Sequence, residues 1–423
     1  MGKMILDFRN LFLSRLTKDT SIVLLGNAVS SGLAVIFTIL AARALGPGGW
    51  GIVAAVGSLI TILVALADLG ISAGLLRFVS EKWSEGEKNK ATRIIEVLFS
   101  IRVISVVVFA AVLVILSKPI SEFILRSEDA RLTVFAVLGM VGSLFIDFHI
   151  ALTEAKRNWK KAAFFILLTN SLRVLFSFIA IFANRINFGS VLLIFCASPV
   201  IATIIAYLTE RTGFGISNKW GEVFREIRLF SGIMGANRIV SAINSRIDVL
   251  LLVNILGAYE TGIYAAANRL AIGVPIILGS FATVLAPRFS ALSENGESVR
   301  FFKRAIGLAI IISIILLFGV LLAPLVIHLF GPEYERSGAV LQFLLLSFVP
   351  ATLSVPAVNL VIYGIKKPQI ITLLSVFQLP IILFINFNFI SNLGVFAPVL
   401  AFAAVNLLTM IVTYFVCFRY LKR

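Results

Sequence analysis

LAIIISIILLFGVLLAPLVIHL, residues 308–329, runs for twenty-two positions without an aspartate, glutamate, lysine or arginine. At about 1.5 Å of rise per residue, a helix of this length reaches about 33 Å, enough to cross the hydrocarbon core of a bilayer. IVLLGNAVSSGLAVIFTILAA at 22–42 is comparable, and Val97–Leu116 is interrupted only by Arg102. The chain is 59% hydrophobic and 14% charged, whereas a soluble chain is about 45–50% apolar and about 25% charged. The excess lies in runs of about twenty residues and not in amphipathic stripes, so the chain reads as a polytopic α-helical membrane protein.

Spans are expected at roughly 19–42, 50–77, 94–116, 132–154, 162–183, 188–209, 229–255, 260–287, 304–329, 337–363, 369–390 and 393–418. The cationic residues between them set the orientation. With the N-terminus inside, inner segments and both termini hold 26 lysines and arginines, outer loops hold 6, and 5 arginines lie within spans. Positive charge collects on the cytoplasmic side, so both ends are expected inside. The same distribution accounts for most of the +16 net charge without a nucleic-acid partner. Residues 1–18, with Lys3, Arg9, Arg15 and Lys18 among apolar positions, read as a short interfacial helix entering the first span, not as a cleaved signal.

The chain also repeats itself at a spacing of 211 residues. Leu45-Gly46 matches Leu256-Gly257, Gly51-Ile52 matches Gly262-Ile263, and Ala54-Ala55 matches Ala265-Ala266. Arg77-Phe78 matches Arg288-Phe289, and Arg93 matches Arg304. Each copy contains six spans, an even number, so the copies share one orientation and form parallel repeats. The expected architecture is all-α: about twelve transmembrane helices in two six-helix lobes, residues 1–211 and 212–423, around a central cavity. The polar stretch 210–228 would join the lobes inside.

Catalytic constellations are missing. There are two histidines, His149 and His328, no phosphate-cradling Gly-Lys-Thr loop and no long outer loop with paired acids. Cys196 and Cys417 lie in apolar segments and read as small buried hydrophobes. Neither enzyme, metal site nor cofactor is expected. Charges inside spans are the informative residues, because each must face protein or water. The arginines are Arg102, Arg173, Arg238, Arg246 and Arg269; the acids are Asp68, Asp147 and Asp248.

Asn237, Ser241, Asn244 and Asp248 share one face of the seventh span, and Thr169, Asn170, Arg173 and Ser177 form a shorter face on the fifth. Two readings stand side by side. The arginines, with Asn237 and Asn244, line a hydrated cavity for an anionic substrate, since a guanidinium matches phosphate with paired hydrogen bonds. Or they form structural pairs, such as Arg102 with Asp147 and Arg246 with Asp68. Asp68, next to Gly70, and Asp248 are coupling or gating candidates; Asp68 could also cap a broken helix. His149 near Glu154 at the inner end of the fourth span reads either as a titrating pair or as a satisfied interfacial histidine. The glycines and prolines at 46–49, 273–279 and 350–356 could serve as hinges or packing sites.

Ala41-Ala42-Arg43-Ala44-Leu45-Gly46-Pro47 followed by Trp50-Gly51-Ile52, and Ala67-Asp68-Leu69-Gly70-Ile71-Ser72 running on to Leu76-Arg77-Phe78-Val79, resemble the polysaccharide transporter family. Gly262-Ile263-Tyr264-Ala265-Ala266-Ala267 and Leu329-Phe330-Gly331-Pro332-Glu333-Tyr334 agree with it, so the likeness runs from about residue 25 to 370. It places the chain in the multidrug/oligosaccharidyl-lipid/polysaccharide flippase superfamily. It implies a two-lobed, V-shaped, alternating-access fold in the plasma membrane. The implied substrate is a polyprenyl phosphate- or pyrophosphate-linked oligosaccharide moved outward for surface polysaccharide biosynthesis. Membrane lipids and other polysaccharide-assembly proteins are the further expected partners. The alternatives are a cation-coupled multidrug exporter of the same superfamily, a membrane glycosyltransferase or polymerase, and a non-transporting scaffold.

Overall fold

The computed structural model describes residues 15–210, 221–291 and 297–421. The interfacial helix expected at the N-terminus lies mostly outside them, as does the lobe boundary expected at 211–212. Among the described residues every regular element is helical. In chain order they are α1 (Arg15–Asp68), α2 (Ile71–Gly74), α3 (Ser80–Ser84), α4 (Lys88–Ile115), α5 (Ser117–Ile124), α6 (Arg131–Ala155), α7 (Trp159–Phe182) and α8 (Phe188–Thr209). There follow α9 (Gly221–Ile255), α10 (Ala258–Ala271), α11 (Gly273–Ala291), α12 (Glu297–Ile327), α13 (Glu335–Asn359), α14 (Pro368–Leu393) and α15 (Phe396–Leu421). Wide π turns at Leu75–Val79 and Leu360–Gly364 join α2 to α3 and extend α13.

Among the described residues, ten helical stretches are long and apolar enough to cross a bilayer. Their outward faces fit lipid and not water: on α4, Ile104, Val107, Val108 and Val112 are each about half exposed, and on α12 Leu321 and Leu325 are more so. A continuous apolar surface of this kind is stable only against hydrocarbon. The chain is therefore a multi-pass membrane protein.

It divides into two compact units. The first comprises the chain up to Ala44 together with Val56–Arg246, and the second Leu45–Ala55 together with Ile247 onward. In the first, Leu75, Val97, Leu98, Phe148 and Leu152 form a dry core. In the second, Phe289, Phe302, Ala357, Leu360 and Cys417 do the same.

The 211-residue repeat is visible in the backbone. Gly46 has φ 65°, ψ 177° and Gly257 has φ 85°, ψ −179°, a region open essentially to glycine alone. Each glycine therefore breaks the helix at the same point of its copy. Just beyond the breaks, within the second unit, the copies pack on one another reciprocally. A Cβ on Gly51 would lie 1.8 Å from the carbonyl oxygen of Ala258, and one on Gly262 would lie 1.9 Å from that of Pro47. Shifted by 211, Pro47 becomes Ala258 and Gly51 becomes Gly262, so the contact maps onto itself.

Candidate functional site

The first unit gathers charge at the end of α1. The helix stops at Asp68 because Leu69 and Gly70 both take positive φ, 51° and 74°. The carbonyl of Ala67, left without a helical partner by that stop, accepts from the Ser105 hydroxyl at 2.5 Å. Helix α9 crosses the break closely: a Cβ on Gly70 would lie 1.9 Å from the Ser231 carbonyl oxygen, and one on Gly235 would lie 3.0 Å from the Gly70 nitrogen. One turn further along α9, Arg238 reaches the acids.

Asp68 Oδ1 is the hub. It receives Arg102 at 2.6 Å, Arg238 at 3.0 Å and the Ser72 hydroxyl at 2.6 Å. Arg102 also donates to Ser72 at 3.1 Å, and Arg238 donates to Asp147 Oδ2 at 2.6 Å. Arg102 meets Asp68 where the sequence suggests Asp147, Asp68 takes Arg238 where it suggests Arg246, and Asp147 takes Arg238. Two guanidinium and two carboxylate groups balance, as burial of charge requires. The inner pair is sealed, with Arg102 0% and Asp68 1% exposed, whereas Arg238 and Asp147 are 34% and 33% exposed. Among the described residues Arg102 Nε and Nη1 and Asp68 Oδ2 have no hydrogen-bond partner.

Arg173 is engaged differently. Pro199 has no N–H, so the carbonyl of Phe195, four residues earlier on α8, loses its helical donor. Arg173 supplies it from α7, with Nε at 3.3 Å and Nη2 at 3.0 Å, and its Nη1 donates to Asn170 at 3.2 Å. Its guanidinium also lies 4.1 Å from the centre of the Phe195 ring, within cation–π range.

The remaining candidates do not join this cluster. Asn237 is exposed, and Asn244 is half-buried with its Oδ1 unpartnered among the described residues. Arg246 is half-buried and its Nε has no hydrogen-bond partner among the described residues. Arg269 stands in the last turn of α10. Asp248 accepts from the Val249 backbone at 2.8 Å and from the Tyr264 hydroxyl, which ties α9 to α10.

Beside the charge cluster is a cavity of about 420 Å³. Ser143, Ile146, Asp147, Ile150 and Glu154 of α6 face it at helical spacing, and Ile166, Thr169, Asn170 and Arg173 of α7 face it likewise. Asn27 of α1 and Pro199 of α8 complete its walls. Helix α8 fits because a Cβ on Gly142 would lie 2.4 Å from the Val200 nitrogen. Ser72 and the joint role of Asp147 and Glu154 went unread in the sequence; the spacing of those acids, two turns apart on one face, was the available signal.

Residues 16–293 match the family described as polysaccharide biosynthesis protein. A putative O-antigen transporter of Shigella flexneri is 24% identical over 344 residues, 77% of this chain and 79% of its own. Among solved structures, the lipid II flippase MurJ in an inward closed conformation superposes with a TM-score of 0.73 at 13% identity, over 93% of this chain and 86% of that one. An inward-facing multidrug resistance transporter of the MATE family, in the MOP superfamily, superposes with a TM-score of 0.66 at 18% identity, over 92% and 94%. The fold is that of the MOP superfamily transporters.

Proposed function

The chain belongs to the polysaccharide biosynthesis protein family, and from that premise we propose that it is a flippase. It moves a polyprenyl phosphate- or pyrophosphate-linked oligosaccharide from the inner to the outer leaflet of the plasma membrane. The observation that carries the reading is Arg238: a guanidinium one third exposed, held at the rim of a buried charge cluster by two aspartates. An arriving phosphate offers it paired acceptor oxygens where Asp147 offers one. The exchange keeps Arg238 paired with an anion and frees Asp147, one third exposed, to take another donor. Arg102, sealed beneath, keeps Asp68 in place while Arg238 changes partner.

Twelve spans follow if the 47-residue stretch Ile22–Asp68 counts twice, being broken at Gly46, and Gly221–Ile255 is added to the ten apolar stretches. At 35 residues that last helix is about 52 Å long, and its arginines and asparagines are what lower its hydropathy. Alternating access by two six-span halves, 1–211 and 212–423, completes the proposal.

The test is head-group accessibility of a fluorescent polyprenyl-pyrophosphate oligosaccharide in proteoliposomes. The intact chain is expected to move it, and Arg238→Ala to lose that movement while eluting as a folded, monodisperse protein. Movement that survives in Arg238→Ala makes this arginine structural. No movement by the intact chain under sodium, proton or voltage gradients sinks the flippase reading in favour of drug export or a scaffold.

A further inference from the structure

The polar cavity between α6 and α7 lies outside the phosphate-exchange step, yet Asp147 belongs to both. Its carboxylate lines the cavity and accepts from Arg238 through Oδ2. We propose that the cavity is a monosaccharide subsite. It holds an uncharged hexose or N-acetylhexosamine, the sugar next to the phosphate, while Arg238 holds the phosphate. The proposal rests on the flippase reading and adds to it the recognised part of the glycan.

Three observations select this ligand class. The first is hydrogen-bonding capacity. Asn27, Ser143, Thr169 and Glu154 face the cavity, and none of their side chains hydrogen-bonds to another described residue. Such groups need water or a ligand, and a ring of hydroxyls supplies donors and acceptors together. The second is composition. Seven of the twelve lining residues are polar, whereas pockets for drug-like molecules are lined mainly by hydrophobic and aromatic side chains. The apolar remainder, Ile150, Phe165 and Ile166 among them, suits the C–H face of a pyranose or an acetamido methyl. The third is charge. Glu154 and Asp147 oppose a second phosphate, and Arg173 opposes a bare cation. Among the described residues no group of three or more His, Cys, Asp or Glu could hold a metal ion, and about 420 Å³ is far more room than a dehydrated ion fills.

The mechanism joins the two subsites through one side chain. When the phosphate takes Arg238, Asp147 loses a donor, and a sugar hydroxyl in the cavity replaces it. Sugar and phosphate thereby bind together, because each makes good the partner that the other displaces.

The experiment compares two probes on the purified full chain in nanodiscs. One is polyprenyl pyrophosphate without sugar; the other is the same lipid bearing a single glucose or N-acetylglucosamine. Both are titrated in sodium chloride and in potassium chloride. The variants are Thr169→Val and Glu154→Gln, which leave the Asp68–Arg102–Arg238–Asp147 contacts untouched. The intact chain is expected to prefer at least one sugar-bearing lipid. Each variant is expected to weaken that lipid about tenfold, the worth of one good hydrogen bond, and to leave the sugar-free lipid unchanged. The unchanged sugar-free titration also certifies the fold of the variant. Equal weakening of both lipids, or of neither, overturns the subsite. So does a loss confined to sodium with sugar preference intact, which marks a cation site instead. If the intact chain binds neither lipid, the flippase reading itself fails.

Discussion

Pro199 and Arg173 show how one side chain can answer a defect made on another helix. The proline frees the Phe195 carbonyl, and Arg173 satisfies it with two hydrogen bonds. Arg173→Ala leaves a carbonyl without a donor inside the membrane, and the expected cost is about 1–3 kcal/mol. In the Arg173→Ala/Pro199→Ala double variant, residue 199 regains an N–H, the helix supplies its own donor, and most of the loss is expected to return. Thermal unfolding in detergent across the four proteins of this cycle checks it; simple additivity of the two substitutions would refute the account. The sequence marks Arg173 as charged within a span, and so as worth notice. Its task was not legible, because the carbonyl it serves is 22 residues away on another helix. Pairing in the charge cluster was hidden for the same reason: Arg102 and Asp68 are 34 residues apart, Arg238 and Asp147 are 91, and which arginine meets which acid depends on the rotation of each helix.

Helix ends and breaks were more legible, since glycine and proline announce them locally. The bends after Leu45 and Leu256 follow from the glycines of the repeat, whereas the span expected at 50–77 is interrupted after Asp68, where Leu69 and Gly70 both take positive φ. The reciprocal contact beyond those bends gives a test. Gly51→Ala and Gly262→Ala each push a methyl carbon into a backbone carbonyl at under 2 Å, whereas Gly48 has open space around it. Each of the first two is expected to destabilise the protein by about 3 kcal/mol, as forced overpacking does, and Gly48→Ala by much less; equal unfolding temperatures for all three would count against the crossing. At the inner end of α8, Glu210 is held by Lys156 at 3.2 Å and by Lys161. Burial favours its neutral form, but the two lysines outweigh that and hold the carboxyl below its ordinary value of 4.5. A depressed acid stabilises the fold fully above its unfolded pKa and loses that contribution as pH falls through the folded one. Proteolytic protection of the α6–α7 connection is therefore expected to decline below about pH 4.5 in the intact chain. In Glu210→Gln the same protection is expected to be low and flat with pH.

At the scale of the molecule, lipid made the sequence easy to read. A spanning helix must satisfy its backbone internally and present apolar side chains, so length and composition alone announce it. The exception, Gly221–Ile255, brings Arg238 to the charge cluster and also carries Arg225, Arg228, Arg246, Asp248 and three asparagines, and it is not among the ten apolar stretches. Orientation rests on the cationic count, and it can be checked chemically because Cys196 and Cys417 are both fully buried and give a quiet background. Glu128→Cys is expected to react with a membrane-impermeant maleimide on intact cells, and Lys90→Cys only after permeabilisation; the reverse pattern would invert the topology. The seam at Gly51 and Gly262 carries one more implication. A contact in which residue i of one copy meets residue j of the other, and j meets i, is the signature of a two-fold homodimer interface. A half-length chain bearing a single copy would offer the same groups, Pro47 and Gly51, to a second molecule of itself. Joining the copies end to end turns an association that depends on concentration into one that does not, and it lets the copies differ: one has proline where the other has alanine, while both have glycine at the contact.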